Sequence, residues 1–213
     1  MCDLTEFGST PIERVKRALG ALREARPVVV LDDADRENEA DLVFAAEKTT
    51  PELINFMLKY CSGIICLCIT QTLQKKLELP FMVTENESRY QTAFTVSIEA
   101  RHGVTTGVSA QDRTTTIREA IKPSSTADDL VKPGHIFPLV AQDGGIHTRR
   151  GHTEASVDLA RMANLDPYGV LCELMNTDGS MARTTDAIEF AREHDLIVLT
   201  IDDIASYRLQ MGI

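Results

Sequence analysis

The chain has 213 residues, of which 43% are hydrophobic, and its 22 basic and 32 acidic residues give a formal net charge of −10. This composition supports the core of a globular domain and argues against binding along a nucleic-acid backbone, which needs a basic face. It does not exclude a small anionic ligand, because a few arginines can hold one phosphate on an acidic protein.

Two further classes of protein are disfavoured. No apolar run approaches the ~20 residues of a membrane span, and the N-terminus lacks a basic segment followed by an apolar stretch, so we expect no membrane association and no secretory signal. The cysteines are odd in number and show no C-x-x-C spacing, which argues against structural zinc and a disulfide framework; they are Cys2, Cys61, Cys66, Cys68 and Cys172. We therefore expect a reduced, cytoplasmic protein.

Short β-branched runs alternate with amphipathic segments, without an internal repeat or a flexible linker, which predicts an α/β or α+β domain. Thr10 as N-cap, Pro11 at the first helical position and Glu13 three residues after the cap predict the first helix. Strands are predicted at 28–32, 42–46, 64–69, 93–98, 135–139, 169–174 and 197–201. Further helices are predicted at 51–60, 72–79, 109–121, 153–163, 185–194 and 204–210.

The first segment with possible chemistry is DDADRENEAD at 32–41, where six carboxylates surround one arginine directly after an apolar strand. Like charges packed into one turn repel unless cations neutralise them, and loops after strand ends often carry ligands. Two interpretations remain open, a loop that binds a divalent metal and a polyol, or a solvated acidic loop.

The second segment is GGIHTRRGHTE at 144–154, which leads into a predicted helix. The free N–H groups and positive dipole of a helix N-terminus favour an anion. Arg149 and Arg150 add charge, Thr153 is predicted to supply both the cap and a hydroxyl, and His152 could bind a metal. The alternative is an arginine-rich surface turn with a capping threonine.

Four weaker signals complete the set. Glu173 lies within an apolar strand and is a candidate general base, unless it sits on an edge strand facing water. His135 follows a Pro-Gly pair and can exchange protons near neutral pH, although a single histidine is more often structural. The segment 103–113 could line a phosphate or hydroxyl site, but it is neither a P-loop nor G-x-G-x-x-G. Cys66 is interpreted as a buried core thiol in preference to a catalytic nucleophile.

Seven motifs occur in one order along most of the chain: DDADRENEAD, YCSGIICL, FTVSIEA, GVTTGVSAQDRTTTI, KPGHIFPL, RRGHTEASVDL and GVLCEL. The set closely resembles the 3,4-dihydroxy-2-butanone 4-phosphate synthase family of riboflavin biosynthesis. The resemblance implies a single-domain mixed α/β sandwich of the α+β class over residues 1–213, working as a homodimer. It also implies a lyase that converts D-ribulose 5-phosphate to L-3,4-dihydroxy-2-butanone 4-phosphate and formate, with one or two Mg²⁺ or Mn²⁺ ions per site.

The resemblance also assigns residues. The R-E-N-E-x-D motif implies Glu37 as a metal ligand, with Arg36 and Asp41 contacting substrate. The R-x-G-H-T motif implies His152 as the other metal ligand. Within the same stretch, Arg149 and Thr153 are implied to hold the phosphate, and Gly151, which lies between them, is expected to contact substrate. The metal ligands Glu37 and His152 are also expected to contact substrate. Arg150 is a departure from the family pattern that adds charge beside the phosphate, and we expect it to contact substrate as well. His135 and Glu173 are implied to be essential to catalysis, with Glu173 also contacting substrate, and Cys66 is implied to lie beside the site.

The sequence departs from the family pattern at three positions, where Ala40, Gln91 and Arg150 stand in place of frequent glycines. None removes an implied metal ligand or acid–base group. Some relatives carry a fused GTP cyclohydrolase II domain. This chain ends at Ile213 without room for such a domain, so we expect it to be monofunctional. Within the acidic loop, residues 32–41, the part from Asp33 to Asp41 is expected to be poorly ordered without metal and to close over substrate.

Two other functions fit parts of the sequence. Another metal-dependent sugar-phosphate isomerase or lyase would use the same groups. Assaying formate after incubation with ribulose 5-phosphate distinguishes an isomerase from the synthase, because an isomerase releases no formate. A non-catalytic nucleotide- or RNA-binding module is a different class; four Tyr, seven Phe and no Trp leave little surface for base stacking.

Overall fold

In the computed structural model, residues 3–33 and 35–213 are described, and they form seven strands and seven α-helices. The strands are β1 (Val28–Leu31), β2 (Ala40–Ala45), β3 (Cys66–Ile69), β4 (Ile98–Ala100), β5 (Leu130–Val140), β6 (Gly169–Glu173) and β7 (Ile197–Thr200). The helices are α1 (Pro11–Arg23), α2 (Pro51–Tyr60), α3 (Gln71–Lys76), α4 (Ala110–Ile121), α5 (His152–Met162), α6 (Thr184–Glu193) and α7 (Ile201–Met211). Cys2 and Ala34, which belong to the cysteine set and the acidic loop, lie outside the described residues.

The strands form one mixed sheet in the order β4-β5-β3-β6-β2-β1-β7. β5 pairs in parallel with β3, and β1 with β7, while the other neighbours are antiparallel. Strands β1, β2 and β3 are buried along their whole length, which explains their nearly continuous apolar sequences. The predicted α+β class with helices on a mixed sheet is confirmed.

Two groups of helices cover the sheet. Helices α1, α5 and α7 contact one another. Helix α2 contacts α4, and its Phe56 and Tyr60 rings pack against Phe190 of α6. Because alternate side chains of a strand point to opposite faces, strands that are buried at every position, such as β1, β2 and β3, are covered on both faces. Within the described residues, no helix combines the length and the apolar character needed to cross a bilayer.

Local sequence signals place most helix starts correctly. The Thr10 hydroxyl accepts the Glu13 N–H at 3.1 Å, so Thr10 is the predicted N-cap of α1. The Glu13 carboxylate turns back to the N–H of Ser9, one residue earlier than a standard capping box. Ser109 caps α4 by accepting the Asp112 N–H.

Two strand predictions need correction. The segment predicted as a strand at 93–98 has only isolated bridges at Phe94 and Thr95, and β4 begins at Ile98. The strand predicted at 135–139 is the middle of the longer β5, which includes Pro133-Gly134. Gly134 does not start this strand; it allows close packing, because a Cβ there would lie 2.0 Å from the Ile98 carbonyl oxygen. The helix predicted at 72–79 already ends at Lys76.

Candidate active site

A cleft that is partly open to solvent lies where β2 begins, β6 ends and α5 begins. The antiparallel register pairs Asp41 of β2 with Glu173 of β6, so two acidic side chains lie side by side. Polar side chains dominate the lining, which comprises Arg36, Glu37, Glu39, Asp41, Thr92, Phe94, Leu139, Arg149, His152, Thr153, Leu171 and Glu173. The topology thus brings the acidic loop and the RRGHT segment together.

The centre of the cleft is a cluster of carboxylates around His152. Possible ligand atoms of Asp32, Glu37 and His152 all lie within 4.8 Å of one another. The His152 Nδ1 atom is 3.6 Å from Glu37 Oε2 and 3.6 Å from Asp41 Oδ2. Its Nε2 atom is 3.2 Å from the Val30 carbonyl oxygen. An Nε2–H that donates to this carbonyl leaves the Nδ1 lone pair directed at the carboxylates, the orientation of a metal-binding histidine.

Two buried oxygens in this cluster have no hydrogen-bond partner within residues 3–33 and 35–213, Asp32 Oδ1 and Asp41 Oδ1. An unpartnered buried carboxylate oxygen is costly unless a cation compensates it. Carboxylate oxygens with one imidazole nitrogen suit Mg²⁺ or Mn²⁺. The residues present therefore fit a divalent cation.

Burial and mutual charge shift the protonation of the cluster. Burial raises the pKa of Asp41 to about 8, and the nearby Glu173 and Glu37 add to the rise. Burial lowers the pKa of His152, but Asp41, Glu37 and Asp32 outweigh it and raise the value to about 9. Burial also acts to raise the pKa of Glu37, yet His152 and Arg36 hold it below its ordinary value.

Three side chains hold the acidic loop in place. The Arg36 Nη1 donates to Asp32 Oδ2 at 2.7 Å and to Glu37 Oε2 at 2.6 Å. The Tyr90 hydroxyl donates to the Arg36 carbonyl, and Arg183 donates to the carbonyls of Glu37 and Asn38. The repulsion expected from the sequence is thus partly compensated within the protein, and the predicted closure of the loop over substrate stays a prediction.

The opposite side of the cleft is suited to an anion. Helix α5 begins at His152 with Gly151 as its N-cap, so the prediction that Thr153 is the cap is wrong; Thr153 is the second helical residue. A Cβ on Gly151 would lie 2.3 Å from Arg149 Nη1 and 3.1 Å from Arg36 Nη2. A side chain at the cap would therefore displace two guanidinium groups, which explains the glycine.

The two adjacent arginines point in different directions. Arg149 donates to Glu154 at 2.7 Å, to the Tyr90 carbonyl at 3.1 Å and to Thr92 Oγ1 at 3.0 Å, and it lines the cleft. Arg150 is partly exposed, lies outside the lining, and contacts Asp33 at 3.4 Å and also Asp202. The structure brings Arg149 to the predicted site and does not bring Arg150 to it.

Glu173 is held by a residue that the sequence analysis did not single out. Its Oε2 accepts the Ser62 hydroxyl at 2.6 Å. Because β6 lies in the middle of the sheet, the alternative of an edge-strand glutamate is wrong. Ser62 and Glu39 lie inside the family-like motifs and Thr92 lies two residues before one, and none of the three was assigned a role from the sequence.

His135 lies apart from the cleft lining. It is on β5, its Nδ1 is 2.7 Å from Glu99 Oε2, and its side chain is 42% exposed. Cys66 is buried in β3, and burial raises the pKa of its thiol, which favours the core-thiol interpretation. The described cysteines, Cys61, Cys66, Cys68 and Cys172, form no disulfide.

The fold and the cleft define an α+β protein in which a candidate cation site lies directly beside a candidate anion site, an arrangement suited to metal-assisted chemistry on a small phosphorylated molecule. The profile of the 3,4-dihydroxy-2-butanone 4-phosphate synthase family matches residues 16–207, and the chain belongs to this enzyme family.

Relatives agree with this membership. The chain is 59% identical over 206 residues to the 3,4-dihydroxy-2-butanone 4-phosphate synthase of Pectobacterium atrosepticum, covering 97% of this chain and 94% of that protein. A crystal structure of a synthase in complex with two magnesium ions is 40% identical, with a TM-score of 0.88, covering 93% of this chain and 98% of the other. A two-domain synthase from A. baumannii is 45% identical with a TM-score of 0.88, and the match covers 92% of this chain and 57% of that one.

Replacing Glu37 by glutamine is expected to weaken divalent-cation binding by at least tenfold, because one charged oxygen ligand is lost next to buried carboxylates. Asp35→Asn makes the same change of charge in the same loop on an exposed side chain and is the matched control. Titration calorimetry with Mn²⁺ measures both. Equal affinities for the two variants would contradict the assignment of Glu37.

Cation binding is expected to release protons. In the cation-free protein His152 has a pKa of about 9 and Asp41 of about 8, so both carry protons at pH 7. A cation bound to Nδ1 of His152 must displace the proton there, and its charge favours loss of the proton from the neighbouring Asp41. Affinity for Mn²⁺ should therefore rise between about pH 6 and pH 9. Calorimetry in two buffers of different ionisation enthalpy should count about one to two protons released at pH 7; a count of zero would refute this coupling.

Proposed function

We propose that this chain is a metal-dependent lyase that converts D-ribulose 5-phosphate to L-3,4-dihydroxy-2-butanone 4-phosphate and formate in riboflavin biosynthesis. One observation carries the proposal. Glu37, from the loop after β1, and His152, at the start of α5, lie 3.6 Å apart in a cleft that also contains Arg149. A cation site and an anion site next to each other match a substrate with a hydroxyketone at one end and a phosphate at the other.

The phosphate is proposed to bind at the N-terminus of α5. The backbone N–H groups there have no partner within the helix, and the Thr153 hydroxyl and the Arg149 guanidinium face the same cleft. Glu154, which is buried, holds Arg149 through a 2.7 Å ion pair. Because this pair fixes the guanidinium before substrate arrives, little side-chain entropy is lost on binding.

Glu37 and His152 are proposed to hold one or two Mg²⁺ or Mn²⁺ ions, with Asp32 close enough to contribute. A bound cation would supply positive charge that acidifies the carbon next to the substrate carbonyl and stabilises negative charge on its oxygens. Arg36 and Asp41 are proposed to contact the sugar, since both line the cleft beside these ligands.

Proton transfers are proposed to fall to Glu173, His135 and the carboxylates of the acidic loop. Glu173 is oriented by Ser62 and faces the cleft. Asp41 lies next to Glu173 in the sheet, and its raised pKa of about 8 leaves it able to give or take a proton near neutral pH. Since these groups influence one another, they titrate as a set.

The protein is proposed to work as a homodimer in which the partner supplies His135. The side chain is partly exposed and lies away from the cleft of its own subunit. Arg113 donates to the carbonyls of both Val108 and His135, so the backbones of these two residues lie close together, and the Val108 side chain is exposed. An exposed apolar side chain beside a catalytic histidine is consistent with burial at a subunit interface.

The direct test of the reaction is to incubate the protein with ribulose 5-phosphate and Mg²⁺ and to assay formate. Formate and a four-carbon phosphate should form in equal amounts. A ketopentose or aldopentose phosphate without formate would identify an isomerase and overturn the proposal.

Arg149→Ala is expected to raise KM for ribulose 5-phosphate by about 30- to 100-fold, because a charge-assisted pair with phosphate is worth roughly 2–3 kcal/mol. Arg150→Ala removes the same charge one residue away and should change KM by less than about fivefold, since its guanidinium contacts Asp33 and Asp202. Steady-state kinetics compare them. Equal effects would show that the phosphate is held elsewhere or by both arginines.

Mixing two inactive variants tests the shared site. Glu37→Gln and His135→Asn should each be inactive alone. If each site combines Glu37 of one subunit with His135 of the other, mixed dimers contain one intact site, and activity should recover to about a quarter of wild type after subunit exchange. Continued inactivity of a demonstrated mixed dimer would place both residues in the same subunit's site.

A further inference from the structure

Glu99 is a buried acid that the reaction described above does not use. It lies on β4 with its side chain 9% exposed. Both of its carboxylate oxygens have partners: Oε2 is 2.7 Å from His135 Nδ1, and Oε1 accepts the Thr116 hydroxyl at 2.7 Å. Burying a carboxylate lowers the stability of the fold unless partners compensate it. A buried glutamate at this position therefore suggests a functional role.

The surroundings keep space for this pair. A Cβ on Gly107 would lie 1.7 Å from Glu99 Oε2 and 2.7 Å from His135 Nδ1. The backbone of His135 is fixed separately, because Arg113 Nη1 donates to its carbonyl at 2.7 Å. The Glu99 side chain is thus not needed to hold this part of β5, and the atom of His135 that it contacts belongs to the imidazole ring.

We propose that Glu99 is a positioning residue that keeps the proton of the neutral His135 ring on Nδ1, so that Nε2 presents its lone pair to the substrate. A carboxylate can only accept at Nδ1, which excludes the other tautomer. The inference rests on the proposed role of His135 in proton transfer. It assigns to β4 and α4 a part in catalysis although neither Glu99 nor Thr116 lines the cleft.

Thr116 fixes which groups donate and which accept in this chain of hydrogen bonds. Its Oγ1 accepts the Ala100 N–H at 3.1 Å and donates its own proton to Glu99 Oε1. In Glu99→Gln the amide oxygen would face Thr116, which still needs an acceptor, and the amide NH₂ would face His135. The NH₂ group donates to Nδ1 and moves the ring proton to Nε2. This nearly isosteric change therefore reverses the tautomer without a cavity.

The experiment compares wild type, Glu99→Gln, Glu99→Asp and Glu119→Gln. Glu119→Gln is the control: it makes the same type of substitution at a glutamate of α4 that is paired with Lys122 and not with His135. Nitrogen-15 spectra of histidine-labelled protein at about pH 9, where an ordinary imidazole is neutral, report the tautomer. His135→Asn identifies the His135 signal. Steady-state kinetics with ribulose 5-phosphate give kcat and KM for each variant.

Glu99→Gln is expected to move the proton from Nδ1 to Nε2 and to lower kcat by on the order of 10²- to 10⁴-fold, the loss associated with a misdirected catalytic imidazole. KM should change less than threefold, because the phosphate and cation sites are untouched. Glu99→Asp should keep the wild-type tautomer and recover part of kcat, and Glu119→Gln should match wild type.

Two results would overturn the inference. One is an unchanged tautomer in Glu99→Gln; the other is a reversed tautomer with wild-type kcat. The activity of His135→Asn separates the causes in the second case. An active His135→Asn means that the proposed role of His135 is itself wrong, whereas an inactive one means that His135 acts in catalysis without depending on Glu99.

Discussion

The structure depends on placing several like charges at one end of a buried sheet. Asp41 and Glu173 are neighbours in the register of β2 and β6, and the loop after β1 adds more carboxylates. Such a group of acids is stable only with compensation, either by bound protons, which the raised pKa of Asp41 favours, or by positive charge among them. Arg36 and His152 supply part of it, and two carboxylate oxygens still have no partner in the described chain. The demand for a cation is therefore built into the strand pairing.

Much of the fold could be predicted because its signals are local. The Thr10 cap of α1 depends on residues within one turn, and the buried strands are visible as apolar runs. The errors arise where distant residues decide. Gly134 reads as a turn, yet the close approach of Ile98 makes it part of a long strand. Thr153 reads as a cap, yet two guanidinium groups exclude a side chain from the preceding position and leave Gly151 there.

The candidate site shows the same division. The motifs identified Glu37, His152 and Arg149 because each of them lies in a short segment with an unusual concentration of charged residues and histidines. They did not distinguish Arg149 from Arg150, since the direction of a side chain depends on its partner, here the buried Glu154. They also missed Ser62, which orients Glu173 from another part of the chain. Residues that act by holding other residues carry little signal of their own.

The two histidines illustrate how partners assign roles to one side chain. His152 directs Nε2 to a backbone carbonyl and leaves Nδ1 among carboxylates, which suits a metal ligand. His135 has the reverse arrangement: its Nδ1 faces Glu99, which leaves the lone pair of the neutral ring on Nε2, and this suits proton transfer. A carbonyl and a carboxylate both accept a hydrogen bond and cannot donate one, so the neutral form of each ring keeps its proton on the nitrogen that faces the acceptor, Nε2 in His152 and Nδ1 in His135. Chemistry that needs a cation and a mobile proton at once can use one residue type for both because the fold fixes the two rings oppositely.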